Sequence, residues 1–267
     1  MLLAFTLTLL AGAATAVGGL IAVHGRVRSD RGLAIALAFA GGAMVLVSLV
    51  EILPKGAASL APALGIGGGW LATLGAAALG AVLAVLLGRV VPVAGHDHDH
   101  GRGRDAPGTH RLRQLPGVRR SGLVVAIAVT AHNLPEGLAT FVATLDDPAA
   151  GATLAVAIAL HNIPEGVAVA APFYGSGASR RKAVGIAALS GLAEPIGALA
   201  GYLLLAALLP GAAFGVVFGL VAGVMLLIGL AELLPTALRM ASPVPVAAAC
   251  TAGVVVMALS LALLSLA

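Results

Sequence analysis

Residues 149–172 read AAGATLAVAIALHNIPEGVAVAAP. Apart from Thr153, the only polar side chains in this run are His161, Asn162 and Glu165, and they sit in its middle. A helix needs about 20 apolar residues, at about 1.5 Å each, to cross the hydrocarbon core of a bilayer. A soluble domain has no use for an apolar helix of that length, so the run reads as a membrane span with a polar knot at mid-depth. The rest of the sequence agrees. Of its 267 residues 60% are apolar and 10% charged, and the mean hydropathy is +1.07; a soluble surface takes about 25% charged residues. Strand-like alternation is absent, and backbone polar groups within a bilayer must then be satisfied inside helices. The 36 glycines and 3% aromatic content favour close helix approach. Cys250 is alone, which excludes an intramolecular disulfide, CxxC redox chemistry and thiolate-rich zinc sites.

Working outward from this run, the apolar stretches predict an all-α integral membrane protein with eight spans. They are about 2–23, 32–54, 65–91, 121–144, 149–172, 183–209, 212–238 and 243–266. The first lacks a basic leading segment and is followed by Arg26, Arg28 and Arg31, unlike a secretory signal peptide. Loops 1–2, 3–4, 5–6 and 7–8 hold three, seven, three and one Lys/Arg, which is 14 of the 15, and Lys55 alone falls on the other face. The positive-inside rule puts those loops in the cytoplasm and both termini outside it, in an inner (plasma) membrane. The basic residues therefore report topology, and no nucleic-acid partner is expected. A homodimer is compatible with the sequence. The one long loop, 92–120, contains His96, His98 and His100 in HDHDH and reads as a disordered cytoplasmic linker able to touch metal ions loosely.

Two internal similarities organise the chain. HNLPEG at 132–137 matches HNIPEG at 161–166 in five of six positions, and MVLVSLVEILP at 44–54 matches MLLIGLAELLP at 225–235 in six of eleven. The matched spans cross in opposite directions, as an inverted repeat would leave them, with spans 1–3 related to 6–8 and span 4 to span 5. Such architectures place a binding site near the midplane.

The repeated motif carries the chemistry. His132 and Glu136 are i,i+4 neighbours on one helix face, and His161 and Glu165 repeat them. Pro135 and Pro164 lack an amide hydrogen, which frees the carbonyls of Ala131 and Leu160. Asn133 and Asn162 add oxygen donors. A carboxylate at the bilayer centre costs about 2.5–3.5 kcal/mol on insertion scales. Glu136, Glu165 and Glu194 all lie there with no Lys or Arg at that depth. A divalent cation balances them, and imidazole with carboxylate suits zinc, iron, manganese or cobalt. Glu194, before Pro195, is expected to join the cluster. Ser190, one turn earlier, reads either as support for the site or as helix packing. Met44 reads either as a thioether ligand or as core filler. Glu51 and Glu232, seven residues beyond Met44 and Met225, fall near opposite ends of spans 2 and 7, as mouths of a metal path or as helix-end residues.

HNLPEG, HNIPEG and SGLAEPIGALAGY (190–202) together resemble the Zrt/Irt-like (ZIP) transporter family, in its bacterial ZupT-type branch. The resemblance covers nearly the whole chain. It implies a 3+2+3 helical bundle and uptake of divalent metal ions into the cytoplasm, zinc foremost, with iron, manganese, cobalt or cadmium besides. By motif position it implies metal ligands at His132, Asn133, Glu136, His161, Asn162 and Glu165, with Glu194 at a second metal position and Met44 as a ligand from span 2. The rival from another class is an intramembrane zinc-dependent hydrolase, for which no HExxH is present. A metal exporter or channel is the nearer alternative, which residue chemistry alone leaves open.

Overall fold

The computed structural model describes residues 1–24, 29–90, 116–205 and 212–265. Among these the chain is helical throughout, with no strand. The helices are α1 (Leu2–Ala22), α2 (Asp30–Val47), α3 (Leu53–Val90), α4 (Pro116–Asp146), α5 (Pro148–Gly175), α6 (Arg180–Gly191), α7 (Ala193–Leu205), α8 (Ala212–Leu227), α9 (Leu234–Met240) and α10 (Pro243–Ser265). Two π-helical turns, Ser48–Ile52 and Ile228–Leu233, join α2 to α3 and α8 to α9. By length and composition six described stretches can cross a membrane: Leu2–Ala22, Asp30–Leu86, Gly151–Gly175, Arg180–Ala200, Gly215–Met240 and Pro243–Ala262. The second is long because α3 is two helices meeting at Gly65, whose φ of 72° and ψ of 167° are non-helical. The chain doubles back there. A Cβ placed on Gly69 would lie 2.6 Å from the Ala57 carbonyl oxygen, and one on Gly56 would lie 2.8 Å from Thr73 Cγ2. Only glycine enters that backbone region without strain.

The helix does not stop at Pro54 or Pro235. Each proline lacks an amide hydrogen and crowds the carbonyl four residues back, and widening the turn relieves both problems. The Leu53 amide accordingly donates to Ser48 O and the Leu234 amide to Gly229 O, five residues back at matched positions of the repeat. Where the sequence predicts a disordered loop to 120, residues 116–120 instead belong to α4.

Two helix groups result. In one, α1 packs along α5 and α4 along α7, with α6 against α1; in the other, α3 packs along α8 and α2 along α10. Contact between α2 and α5 joins them. Glycine makes each seam close, and the seams come in matched pairs. A Cβ at Gly42 would meet Cys250 O at 2.2 Å and one at Gly223 would meet Ala77 O at 1.8 Å. Gly253 meets Phe39 O at 2.0 Å as Gly80 meets Leu220 O at 2.1 Å. Backbones this close leave no room for a side chain, the condition for tight helix packing in lipid.

Candidate metal centre

The α4–α5 hairpin positions the repeated motif. Asp147 alone links the helices, and its Oδ1 accepts the Ala149 amide at 2.9 Å. Gly151 lets α5 cross α4 at Thr144, where a Cβ would lie 2.3 Å from that residue's Cα. The two helices then run side by side. Both continue through the motif prolines, Pro135 and Pro164. The helix breaks at Leu192, between α6 and α7, and Glu194 stands in the first turn of α7, just before Pro195.

Between α4 and α5, His161 Nε2 lies 3.1 Å and 3.2 Å from the two carboxylate oxygens of Glu136, with both residues 4% exposed. Asn162 donates from Nδ2 to the Ala11 carbonyl at 2.8 Å and to Glu194 Oε1. Asn133 donates from Nδ2 to the Ser190 carbonyl at 3.0 Å. These bonds fix the orientation of both amides, because only the amide nitrogen can donate to a carbonyl. Asn133 Oδ1 and Asn162 Oδ1 are thereby left buried without a partner, as is Glu194 Oε2. Buried acceptors without donors are uncommon in proteins, and a cation is the partner that satisfies several of them together. Glu165, fully buried on α5, adds another carboxylate to this region. Ser190 stands beside these residues: its carbonyl holds Asn133, and its hydroxyl lies within hydrogen-bond distance of Thr130 Oγ1 at 3.1 Å.

The side chain of His132 lies outside the described residues, as do His96, His98 and His100. Met44 is buried in the apolar core, and so is its repeat counterpart Met225. Among the described residues no three His, Cys, Asp or Glu side chains converge on one point, since the donors are engaged pairwise. Glu51 and Glu232 both fall within the π turns. Glu51 is not a free carboxylate: Lys55 Nζ donates to its Oε1 at 2.6 Å. The pair lines a cavity of about 870 Å³ that reaches Ala143, Thr153 and Ala157, one turn from His161.

The profile of the ZIP zinc transporter family matches residues 89–261, which include the α4–α5 hairpin and Glu194. The chain belongs to the ZIP zinc transporter family. The zinc transporter ZupT of Stenotrophomonas maltophilia (strain R551-3) is 46% identical over 261 residues, covering 98% of this chain and 95% of that protein. The ZupT proteins of Xanthomonas axonopodis pv. citri (strain 306) and Corynebacterium efficiens are 49% and 46% identical, covering 90% and 98% of this chain and 86% and 97% of theirs. ZIP proteins are transporters and not enzymes, so the hydrolase reading is set aside. Family and apolar helices together make this ZIP protein a multi-pass inner-membrane transporter of divalent metal ions.

Two residues of interest in this ZIP chain escape sequence reasoning. Thr15 on α1 is fully buried, and its hydroxyl has no partner. Lys55 is visible only as a topology marker until its bond to Glu51 is seen. The i,i+4 spacing of Glu51 and Lys55 is the signal that could have found that pair.

Proposed function

We propose that the protein takes zinc into the cytoplasm through a binuclear mid-membrane site. The observation carrying this reading is the convergence of His161 with Glu136, and of Asn162 with Glu194, in a buried region where three amide and carboxylate oxygens lack donors. The ion exchanges the pairwise bonds for coordination. One position takes the imidazoles and carboxylates of His132, Glu136, His161 and Glu165; the other takes Asn133, Asn162 and Glu194, with Met44 handing ions in from α2. Nitrogen among the donors favours zinc, with iron, manganese, cobalt and cadmium as further cargo. The zinc transport named for the ZupT relatives agrees with this substrate.

Eight spans in a 3+2+3 inverted repeat form the pathway, counting the two arms of α3 on either side of Gly65 separately and α6 with α7 as one. The matched seams and matched π turns support that symmetry. Both termini face outward, the loop bearing His96, His98 and His100 holds ions loosely on the cytoplasmic side, and lipid covers the outer helix faces. A homodimer is compatible with this arrangement. The deciding experiment is radiolabelled zinc uptake by purified protein in liposomes, with an imposed proton gradient on or off. Saturable zinc accumulation that Glu136→Ala abolishes at matched protein level is the expected result. No zinc flux above empty liposomes would refute the reading.

A further inference from the structure

Thr15 occupies on α1 the place that Glu194 occupies at the start of α7. The correspondence follows from three pairs of contacts, each measured against the repeated motif. Asn162 Nδ2 donates to Ala11 O and Asn133 Nδ2 to Ser190 O. A Cβ on Gly166 would lie 1.9 Å from Thr15 O, and one on Gly137 would lie 2.0 Å from Glu194 O. A Cβ on Gly18 would lie 2.1 Å from Ile163 O, and one on Gly197 would lie 2.0 Å from Leu134 O. Residues 11, 15 and 18 thus stand to the α5 motif as 190, 194 and 197 stand to the α4 motif. Gly12 and Gly191 meet reciprocally, at 2.3 Å and 2.1 Å, as residues beside a two-fold axis must.

At this place Thr15 behaves unlike its neighbours. Thr8, Thr130, Thr140 and Thr144 each donate to the carbonyl four residues back, the usual outlet for a helical hydroxyl. For Thr15 that carbonyl is Ala11 O, which already accepts the Asn162 amide. The hydroxyl is left fully buried and unpartnered. An orphaned buried hydroxyl destabilises a fold, and valine would fill the same space without that cost.

We propose that Thr15 is a residue of the transport site, its hydroxyl oxygen completing the ion's shell from α1 opposite Glu194, at the position bounded by Asn133 and Asn162. This rests on the metal-pathway reading above. A neutral oxygen adds a ligand without a second fixed charge. A carboxylate there would mirror Glu194 and hold the ion more tightly, and a transport site must also let go. The pathway is therefore chemically lopsided about its own symmetry axis.

The test compares Thr15→Val and Thr15→Ser with the wild type in zinc-uptake liposomes, with thermal unfolding and calorimetric zinc binding measured on the same preparations. Thr15→Val should raise KM and the zinc dissociation constant about tenfold, as loss of a group around a bound metal does. It should unfold at the wild-type temperature or above. Thr15→Ser should recover most of the lost affinity. An unchanged KM in Thr15→Val overturns the proposal. So does a Thr15→Val protein that unfolds early or fails to fold, since the hydroxyl would then serve packing. If the wild type moves no zinc, the transport reading fails and takes this one with it; if the wild type transports and Thr15→Val matches it, only the role of Thr15 fails.

Discussion

Lys55 Nζ donates to Glu51 Oε1 at 2.6 Å, so a basic side chain is spent on a carboxylate that lines a cavity. The ammonium is 42% exposed and the carboxylate 15%. On the proposed pathway, an incoming divalent ion has to compete there with a tethered monovalent one. The matched position in the second half is Thr236, whose hydroxyl accepts from Arg239 at 3.1 Å, so the arrangement is not repeated there.

Removing that competitor should make capture easier. Exposed ion pairs are worth little, so the expected change is modest: Lys55→Met lowers KM for zinc about two- to fivefold at unchanged maximal rate. Lys182→Met, which changes the exposed first turn of α6, leaves KM alone. Uptake curves at low zinc decide the matter, and a higher KM in Lys55→Met would show that Lys55 assists the ion.

His161 supplies the nitrogen in the pair with Glu136. Exchanging it for a carboxylate hardens the site, and His161→Asp should move preference from zinc toward manganese by about tenfold. Competition between the two ions in one uptake assay reads this directly. An unchanged ratio would mean that nitrogen at this position does not set selectivity.

Glu51 and Glu232 sit in the two π turns at matched repeat positions. If the halves are related by a two-fold axis in the membrane plane, a cysteine at position 51 labels only from outside with an impermeant thiol reagent, and one at 232 only from inside. Zinc should slow labelling at both. Labelling of both from one side would contradict the inverted repeat, whereas correct sidedness without zinc protection would remove only their role as mouths.

The glycine seams predict a graded stability series. Gly223→Ala places a methyl group 1.8 Å from the Ala77 carbonyl oxygen, and the backbone must shift; overpacking of this kind costs about 1–3 kcal/mol. Gly75 meets nothing within 4 Å, so Gly75→Ala should be neutral or stabilise α3 by about 0.5–1 kcal/mol. Thermal unfolding of the two purified variants separates them, and equal melting temperatures would show that the α3–α8 seam is loose.

Much of this could be read from sequence because the bilayer constrains helices so strongly. The apolar run around His161 announces its helix, and HNxPEG announces which residues face its partner. What could not be read is the response of the backbone to proline. Pro54, Pro135, Pro164 and Pro195 look alike in sequence, yet the first sits beside a π turn, two lie in continuous helices and the last follows a break at Leu192. Proline alone therefore does not dictate whether the helix widens, continues or breaks. Thr15 was hidden for a similar reason. A lone threonine in an apolar helix has no pattern, and only the loss of Ala11 O to Asn162 makes its hydroxyl stand out.

The π turns also impose a rule of length. Each holds one residue more than an α-helical path over the same rise, so everything beyond it is rotated by about 100° relative to an uninterrupted helix. Deleting one residue from 48–52, apolar though most of them are, would leave hydropathy nearly untouched and restore a regular helix. It would also swing Lys55 away from the cavity and carry Gly56 off its seam with Thr73 and Gly215. These segments can be rewritten in composition far more freely than they can be shortened, and a relative lacking one residue here should be read as having a differently aimed helix.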